Sequence, residues 1–223
     1  MMEKLYKIKY VDLIDEISCN INDKKWENSQ IAEINCIRHE SIQPVPEANV
    51  KLIRNDRGLN GIFTVHDFTL LAKRKNDLEF VWNDSCVEFF LKAGDVLGYM
   101  NFEFNCIGKL YCTHVRNPVR TADGFKDSVR LTLDDCGSVL RCSSLTEPIE
   151  SEISKEITWH LEFFIPIELL KKYFGELKYQ ECEEWSCNFY KCGDELSNAH
   201  WVSWSEVKKL NFHRPEDFGK LVL

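Results

Sequence analysis

The amino-acid sequence predicts an all-β protein, folded as an antiparallel β-sandwich with one short helix. Much of the chain consists of short runs of β-branched and aromatic residues, which turn residues separate at the intervals expected of a sandwich. One segment alone has both the apolar periodicity and the end signals of a helix. A fold built from repeated strand-helix-strand units is therefore excluded.

The first residues, 1–44, are expected to form an irregular lead into the main sheet. Its predicted packing anchors are the large apolar residues Trp26, Ile31, Ile34 and Ile37. The segment "QPVPEAN" at 43–49 then requires extended backbone, because a residue that precedes proline avoids the helical conformation. Since no break in composition divides the chain, we predict a single domain over 1–223, with residues 45–223 as its core.

Eight strand-rich runs follow in order, each bounded by turn residues. They read VKLIRNDRGLNGIFTVHDF, EFVWNDSCVEFFLKAGD, YMNFEFNCIGKLYC, SVRLTLDDCG, ITWHLEFFIPIELL, EWSCNFYKCGD, HWVSWSE and FGKLVL. The helix is "PIELLKKYFG", in which Pro166 takes the first helical position and Gly175 ends the helix. Trp159 and Trp185 alternate with other apolar residues, so both are expected in the core.

The stretch "GYMNFEFNCIG", residues 98–108, alternates strictly between apolar and polar side chains. On extended backbone one face carries Met100, Phe102, Phe104 and Cys106, and the other carries Tyr99, Asn101, Glu103 and Asn105. The apolar face is predicted to lie in the core. The polar face faces either water or a ligand, and its planar hydrogen-bonding groups exceed what solvation alone requires.

Charge and composition exclude several classes of function. The 36 acidic residues outnumber the 28 basic ones, and a formal net charge of −8 makes phosphate backbones and anionic membranes poor partners. No apolar stretch approaches the roughly 20 residues of a membrane span, and the start of the chain lacks the pattern of a signal peptide. We expect a soluble protein, cytoplasmic as the sequence is written, with no nucleic-acid or membrane partner.

The ten cysteines are spread through the chain and lack the close pairs of a zinc knuckle. We expect most of them to be reduced, small buried hydrophobes, while disulfides remain an alternative if the chain is exported. The sequence also contains no phosphate-binding glycine loop, nucleophile elbow, paired metalloprotease histidines or twelve-residue calcium loop.

Two glutamates form the most informative pair. If the strands of "SCVEFFL" and "NFEFN" make a hairpin centred between Asp95 and Val96, Glu88 lies directly opposite Glu103. Like charges across a strand pair are destabilising, so this register predicts a compensating cation, a shared proton or a hydroxyl-rich ligand. A shifted register, with both carboxylates simply solvated, is the alternative.

Aromatic residues near turns form a second group of candidates. They are Trp82, Tyr190, Trp201, Trp204 and Phe212. Sugars present flat C–H faces that pack on aromatic rings, while carboxylates, amides and guanidinium groups bind their hydroxyls. The sequence supplies both kinds of group, although a core position remains the alternative for each tryptophan.

These motifs together resemble those of family 9 carbohydrate-binding modules. The resemblance rests on "VWNDSCVEFFL", "NFEFNCIG", "LEFFIPIELL", "NFYKCGD", "WVSWS" and "NFHRPEDFGKLVL", which occur in the family's order over roughly residues 45–223. It implies a jelly-roll-like β-sandwich that binds sugar chain ends or short oligosaccharides without catalysis. It also implies structural calcium but no required cofactor, attachment to a glycoside hydrolase in polysaccharide degradation, and an extracellular or periplasmic location if a leader is missing.

The resemblance also implies particular ligand-binding residues. The family places one clamp ring six residues before a ligand-binding glutamate, and Trp82 and Glu88 match that spacing. The second clamp ring falls on Phe212, before the last Pro and Phe-Gly. We expect the sugar groove to be bordered by the polar face of residues 98–108 and to include Tyr99, Asn101, Glu103 and Asn105.

One departure affects the expected ligand. Where the family has a sugar-binding arginine, this sequence has Glu103. A carboxylate cannot make the contacts of a donor-only guanidinium, so the usual gluco- and xylo-configured ligand is in doubt. Arg116 or Arg120 is the expected replacement donor.

Three other functions remain open at this point. A glycoside hydrolase would use Glu88 and Glu103 as its carboxylate pair. A haem protein would need Met100 as an iron ligand, although the strand pattern directs Met100 into the core. A structural module would have lost its sugar site through the change at position 103.

Overall fold

The structure is a computed structural model, and it describes residues 4–12, 16–122 and 124–223. Two β-sheets pack face to face. The strands are β1 Leu5–Lys7, β2 Lys9–Tyr10, β3 Ile31–Ile34, β4 Cys36–Ile37, β5 Glu47–Asn55, β6 Gly58–Ala72, β7 Cys86–Lys92, β8 Tyr99–Asn105, β9 Leu110–Thr121, β10 Gly124–Arg130, β11 Leu140–Ser143, β12 Ile149–Pro166, β13 Glu184–Cys192, β14 Trp201–Ser203 and β15 Gly219–Val222. The α-helices are α1 Leu133–Ser138 and α2 Ile167–Phe174.

The larger sheet has the order β1-β15-β13-β7-β8-β9-β10, with β14 also on β13 and β4 on β14. The smaller sheet has the order β11-β12-β6-β5-β2, with β3 also on β5. Among the pairings described, only β1 with β15 and β2 with β5 are parallel. The predicted all-β antiparallel sandwich is confirmed.

Aromatic side chains from both sheets form the core between them. Phe163 of the smaller sheet stacks on Phe104 and Phe89 of the larger sheet, with ring centroids 5.2 and 5.8 Å apart. Gly61 makes room for the Phe163 ring, because a Cβ at residue 61 would lie 2.3 Å from Cζ of that ring. Trp159, at 0% exposure, belongs to the same core, as predicted. The interdigitated phenylalanines hold the two sheets in one relative position.

The predicted helix is present as α2, with Gly175 at its C-cap in a positive-φ conformation of 83°. Pro166 is the N-cap rather than the first helical residue, since its ψ of 139° is extended and not helical. The structure adds a second short helix, α1, inside a run that was expected to be a strand. Thr132 and Asp135 form a reciprocal capping box at its start, which outweighs the β-propensity of the preceding residues.

The lead of residues 1–44 is less irregular than expected, because its described part contributes short strands to both sheets. Trp26 and Ile34 are buried anchors, as predicted. Ile31 and Ile37 are not, since they are 48% and 53% exposed. Each lies on the outward face of its strand, which the period-two alternation of β3 and β4 requires. The single domain over 1–223 stays a prediction.

Most of the cysteines are buried thiols, as predicted. All ten cysteines are free, and six are buried: Cys86, Cys106, Cys112, Cys136, Cys187 and Cys192. None of the helices in the described residues is long and apolar enough to cross a membrane.

In strand β8, in the middle of the larger sheet, the apolar side chains point into the core, as predicted. Met100, Phe102, Phe104 and Cys106 enter the main core. The opposite, polar face is also buried, since every residue of β8 is buried. Strand β8 is therefore not a half-exposed strand, because the loops that return from β13 and β14 cover its outer face. This covered polar face is the place where the candidate site forms.

Candidate functional site

The strand register places the two glutamates as the hairpin predicted. Glu88 of β7 pairs with Glu103 of β8, so the shifted register is excluded. Along its other edge β7 pairs with β13, where Glu88 lies opposite Tyr190. Along its other edge β8 pairs with β9, where Glu103 lies opposite Tyr111. Four strands thus place one row of side chains, Tyr-Glu-Glu-Tyr, across the outer face of the larger sheet.

A pocket of about 340 Å³ opens above this row. It is formed by residues of β7, β8, β9, β10, β13 and β14, by the turn before β7 that carries Trp82, and by the loops on either side of β14. Its lining consists of Trp82, Glu88, Phe90, Asn101, Glu103, Tyr111, Arg120, Phe125, Cys192, Asp194, Trp201, Leu210, Asn211, Phe212 and His213. The pocket therefore combines carboxyl and amide groups on its floor with aromatic rings on its walls.

Each glutamate of the floor has one satisfied and one unsatisfied oxygen. Asn101 Nδ2 donates to Glu103 Oε1 at 2.5 Å, and the Cys192 thiol donates to Glu88 Oε1 at 3.1 Å. The amide of Asn101 is itself oriented, because its Oδ1 accepts from the Thr113 backbone N–H at 2.8 Å. The Oε2 atoms of Glu88 and Glu103 are buried without a hydrogen-bond partner. Both unsatisfied atoms belong to side chains that line the pocket.

Burial raises the pKa of both carboxyl groups. Desolvation raises the pKa of Glu103 to about 8, and the Asn101 hydrogen bond opposes this shift. The pKa of Glu88 also lies well above its ordinary value, first because of burial and then because of the nearby Cys192 and Glu103. At neutral pH the protonated form of the Glu103 carboxyl is therefore favoured, and in that form it donates as well as accepts hydrogen bonds.

Two aromatic rings stand at the walls, and another ring supports each of them. Trp82 stacks on Phe80 with ring centroids 4.7 Å apart and meets Tyr111 edge-on at 5.0 Å. Phe212 stacks on Tyr190 at 4.0 Å, and the Tyr190 hydroxyl donates to the Phe212 carbonyl at 3.1 Å. Both wall rings are held by these contacts and are partly exposed, so each offers a flat apolar surface.

The positively charged side chain of the pocket lining is that of Arg120. Arg120 lines the pocket and lies 3.9 Å from the centroid of the Phe125 ring. Arg116 lies outside the pocket lining and forms an ion pair with Asp127 at 2.6 Å. Both arginines were expected as replacement donors, and nothing in the local sequence distinguishes them. The pairing of β9 with β10 is irregular between Asn117 and Arg120, so regular strand alternation does not relate the two arginines.

Two other predicted site residues also lie outside the lining. The Tyr99 hydroxyl forms a hydrogen bond with His213 Nδ1 at 2.9 Å, and this bond holds the His213 ring in the pocket wall. Asn105 Nδ2 donates to Asp84 Oδ2 at 3.0 Å and to the Arg74 carbonyl at 2.9 Å. These bonds fix the segment that follows Trp82. The predicted residues that the structure brings together in the lining are Trp82, Glu88, Asn101, Glu103 and Phe212.

Several lining residues were not predicted as ligand-binding. Trp201 was one of the aromatic candidates near turns, and its indole N–H donates to Asp194 Oδ1 at 2.8 Å at the pocket rim. His213 lines the wall with its pKa lowered to about 3 by burial and by Arg120, so it is neutral. The aromatic composition of residues 201–213 was a signal for this wall. The acidic residue at 194 had no such signal.

One group in the described residues offers three potential metal ligands within 4.8 Å of one another, namely Cys86, Glu88 and Cys192. Calcium binds six to eight oxygen ligands, so two sulfur atoms and one carboxylate do not fit it. Burial raises the pKa of the Cys86 thiol to about 12 and that of Cys192 well above its ordinary range. The group therefore holds neutral thiols. The structural calcium implied by the resemblance is not supported here.

The family model described as carbohydrate-binding family 9 matches residues 20–223 of this chain. The chain belongs to this family. The match extends the predicted similarity, which began near residue 45, into the N-terminal lead. A search of the curated proteins found no matching relative.

Solved structures share the fold with this family member. A protein from Bacteroides uniformis, described as a candidate carbohydrate-binding protein, is 24% identical with a TM-score of 0.83, and the alignment covers 99% of each chain. A family 9 carbohydrate-binding module from Caldicellulosiruptor kristjanssonii, solved with glucose, is 14% identical with a TM-score of 0.64, covering 99% of this chain and 95% of that one. The same kind of module solved with cellotriose is 14% identical with a TM-score of 0.65, covering 99% and 93%.

Proposed function

We propose that this family 9 chain binds the end of a sugar chain or a short oligosaccharide in the pocket, without catalysis. The observation that carries the proposal is the combination of two supported, partly exposed rings with a floor of buried carboxyl groups that have unsatisfied oxygens. Two fold neighbours from the same family were solved with glucose and with cellotriose, which supports a sugar as the ligand.

The two kinds of group have different roles. Trp82 and Phe212 pack against the apolar C–H faces of a sugar ring, which fixes the plane of the ring. Glu88, Glu103 and Asn101 then exchange hydrogen bonds with its hydroxyls and fix its orientation. A pocket of this volume encloses a small ligand better than the middle of a long chain, so we favour a terminal unit.

Affinity is expected in the micromolar to millimolar range, because few groups converge and the ligand gives up its own hydration. Such a module contributes to polysaccharide degradation by holding substrate near a glycoside hydrolase. That hydrolase partner remains part of the proposal.

Isothermal titration calorimetry with glucose, cellobiose, cellotriose and xylotriose tests binding. Trp82→Ala is expected to weaken binding of any ligand found by roughly tenfold, since it removes one stacking surface. Tyr10→Ala removes an aromatic ring that is 43% exposed on the smaller sheet, and it serves as the matched control. Equal affinity of Trp82→Ala and the control for every ligand would refute the role of the aromatic clamp.

Catalysis is tested in the same preparation by release of reducing sugar from the same oligosaccharides. The proposal expects no turnover above that of a buffer blank. Turnover that Glu88→Gln abolishes would instead identify a glycoside hydrolase, in which a carboxyl with a raised pKa serves as the general acid.

A further inference from the structure

Buried carboxylates in the described residues are, with two exceptions, neutralised by a basic side chain. The neutralised pairs are Asp67 with Lys191, Asp84 with Arg74, Asp135 with Lys172, Glu162 with Lys25 and Asp217 with Arg214. The exceptions are Glu88 and Glu103, which form no ion pair in the part of the chain that is described. The fold thus compensates its structural acids and leaves the two acids of the pocket floor uncompensated.

The rest of the pocket does not supply the missing charge. Asp194 adds a third carboxyl at the rim. Arg120 is the basic residue of the lining, and its charge opposes the rise in the pKa of Glu103, but it is exposed, lies over the Phe125 ring and forms no ion pair with either glutamate in the described residues. His213 is neutral, because burial and Arg120 lower its pKa to about 3. Three carboxyl groups therefore share one guanidinium group, and a cationic ligand would supply the charge that favours the ionised form of the two buried glutamates.

The two unsatisfied atoms belong to neighbouring side chains of the pocket floor. The Oε2 atoms of Glu88 and Glu103 belong to side chains directly opposite each other on neighbouring strands, and both are buried without a partner. An ammonium group carries three N–H donors and one positive charge, so a single group can donate to both oxygens and balance the charge that the carboxyl groups acquire when they ionise. A bare metal ion would leave the aromatic walls without a role. The walls instead require an apolar surface on the same ligand.

We propose that the preferred ligand is an oligosaccharide whose terminal unit carries a protonated amino group, of the 2-amino-2-deoxyhexose class. This inference rests on the proposed function, because it assumes that the pocket binds a sugar. The sugar ring lies between Trp82 and Phe212, and its ammonium group lies at Glu88 and Glu103. The uncompensated acid pair is thus a specificity determinant, which discriminates an amine from a hydroxyl or an acetamide at the same carbon.

Binding of an ammonium group is expected to release protons from the protein, whereas binding of a neutral sugar is not. A bound cation stabilises the ionised carboxylates, so protons held by Glu103 and Glu88 are released on binding. At about pH 6 the free amine is already charged, and net release is expected. The other titratable or charged groups around the floor are Cys86, Tyr111, Arg120, Tyr190, Cys192, Asp194 and His213.

The experiment compares three β-1,4-linked disaccharides that differ only at carbon 2, namely the glucosamine, N-acetylglucosamine and glucose dimers. Calorimetry at about pH 6, in two buffers of different ionisation enthalpy, measures affinity and proton release together. We expect the amine form to bind at least tenfold more tightly than the other two, with net proton release. Glu103→Gln is expected to reduce the amine preference several-fold. Glu176→Gln, which changes an exposed residue just after α2, is expected to leave it unchanged.

The other outcomes separate the inference from the proposed function. Equal or tighter binding of the glucose dimer by the unmodified protein overturns the amine preference and leaves sugar binding standing. No binding of any sugar on the panel overturns both. Tight binding of zinc or calcium that competes with the sugar, and disappears with a chelator, identifies a metal ion as the partner of the acid pair and also overturns the inference.

Discussion

Replacing Glu103 with glutamine is expected to remove much of the pH dependence of stability. In the folded chain the pKa of Glu103 rises from its ordinary 4.5 to about 8, mainly because the group is buried. Between these two values the folded state holds a proton that the unfolded state releases, so stability decreases as the pH rises. Glutamine keeps an oxygen for the Asn101 bond and stays neutral at every pH.

The rise in the pKa of Glu103 from 4.5 to about 8 corresponds to a loss on the order of 5 kcal/mol in the free energy of unfolding as the pH rises through this interval. We expect wild type to lose stability by this order between pH 5 and pH 8, and Glu103→Gln to lose clearly less. Part of the slope remains in the variant through Glu88, whose pKa is raised as well. The double variant Glu88→Gln/Glu103→Gln should therefore have the flattest profile.

Urea unfolding followed by tryptophan fluorescence, without ligand, at several values from pH 5 to pH 8, measures the effect. The exposed Glu176→Gln serves as the matched control and should follow wild type. Profiles of Glu103→Gln and wild type that stay parallel over the whole range would show that the Glu103 carboxyl does not titrate abnormally. The argument for a buried acid pair without a neutralising partner in the pocket floor would then fail.

Two further predictions concern the framework that holds the site, and urea unfolding at neutral pH tests both. Lys191→Met should cost about 3 to 5 kcal/mol, because it leaves Asp67 buried without its partner 3.3 Å away, and adding Asp67→Asn should restore part of the loss. Stability equal to wild type in Lys191→Met would contradict the need for that pair. Gly61→Ala should cost about 1 to 3 kcal/mol, since the new methyl would overlap the Phe163 ring, whereas Gly137→Ala, with no atom within 4 Å of its Cβ position, should stay within about 0.5 kcal/mol.

Local patterns in the sequence predicted the fold class and the orientation of the central strands. Alternation along β8 determined which side chains enter the core, because successive residues of a strand point to opposite faces. The short connection between β7 and β8 determined that Glu88 faces Glu103. The end signals of α2 were equally local. In each case, residues that are neighbours in the chain contain the necessary information.

Local patterns failed where chain segments distant in sequence meet. The polar face of β8 was expected to contact water or a ligand along its length, but Tyr99 and Asn105 are covered and bind other parts of the protein. Arg120 lines the pocket and Arg116 does not, and the pairing of β9 with β10 is irregular between them. Neither outcome has a signal in the adjacent residues.

The sequence by itself thus determined a β-sandwich with two glutamates opposite each other on neighbouring strands. Only the tertiary structure decided that this pair is buried, that Trp82 and Phe212 flank it, and that no basic residue of the described chain forms an ion pair with it. The physical reason is that strand periodicity follows from the backbone of a few consecutive residues. Burial and charge compensation instead depend on which remote loops pack over the sheet.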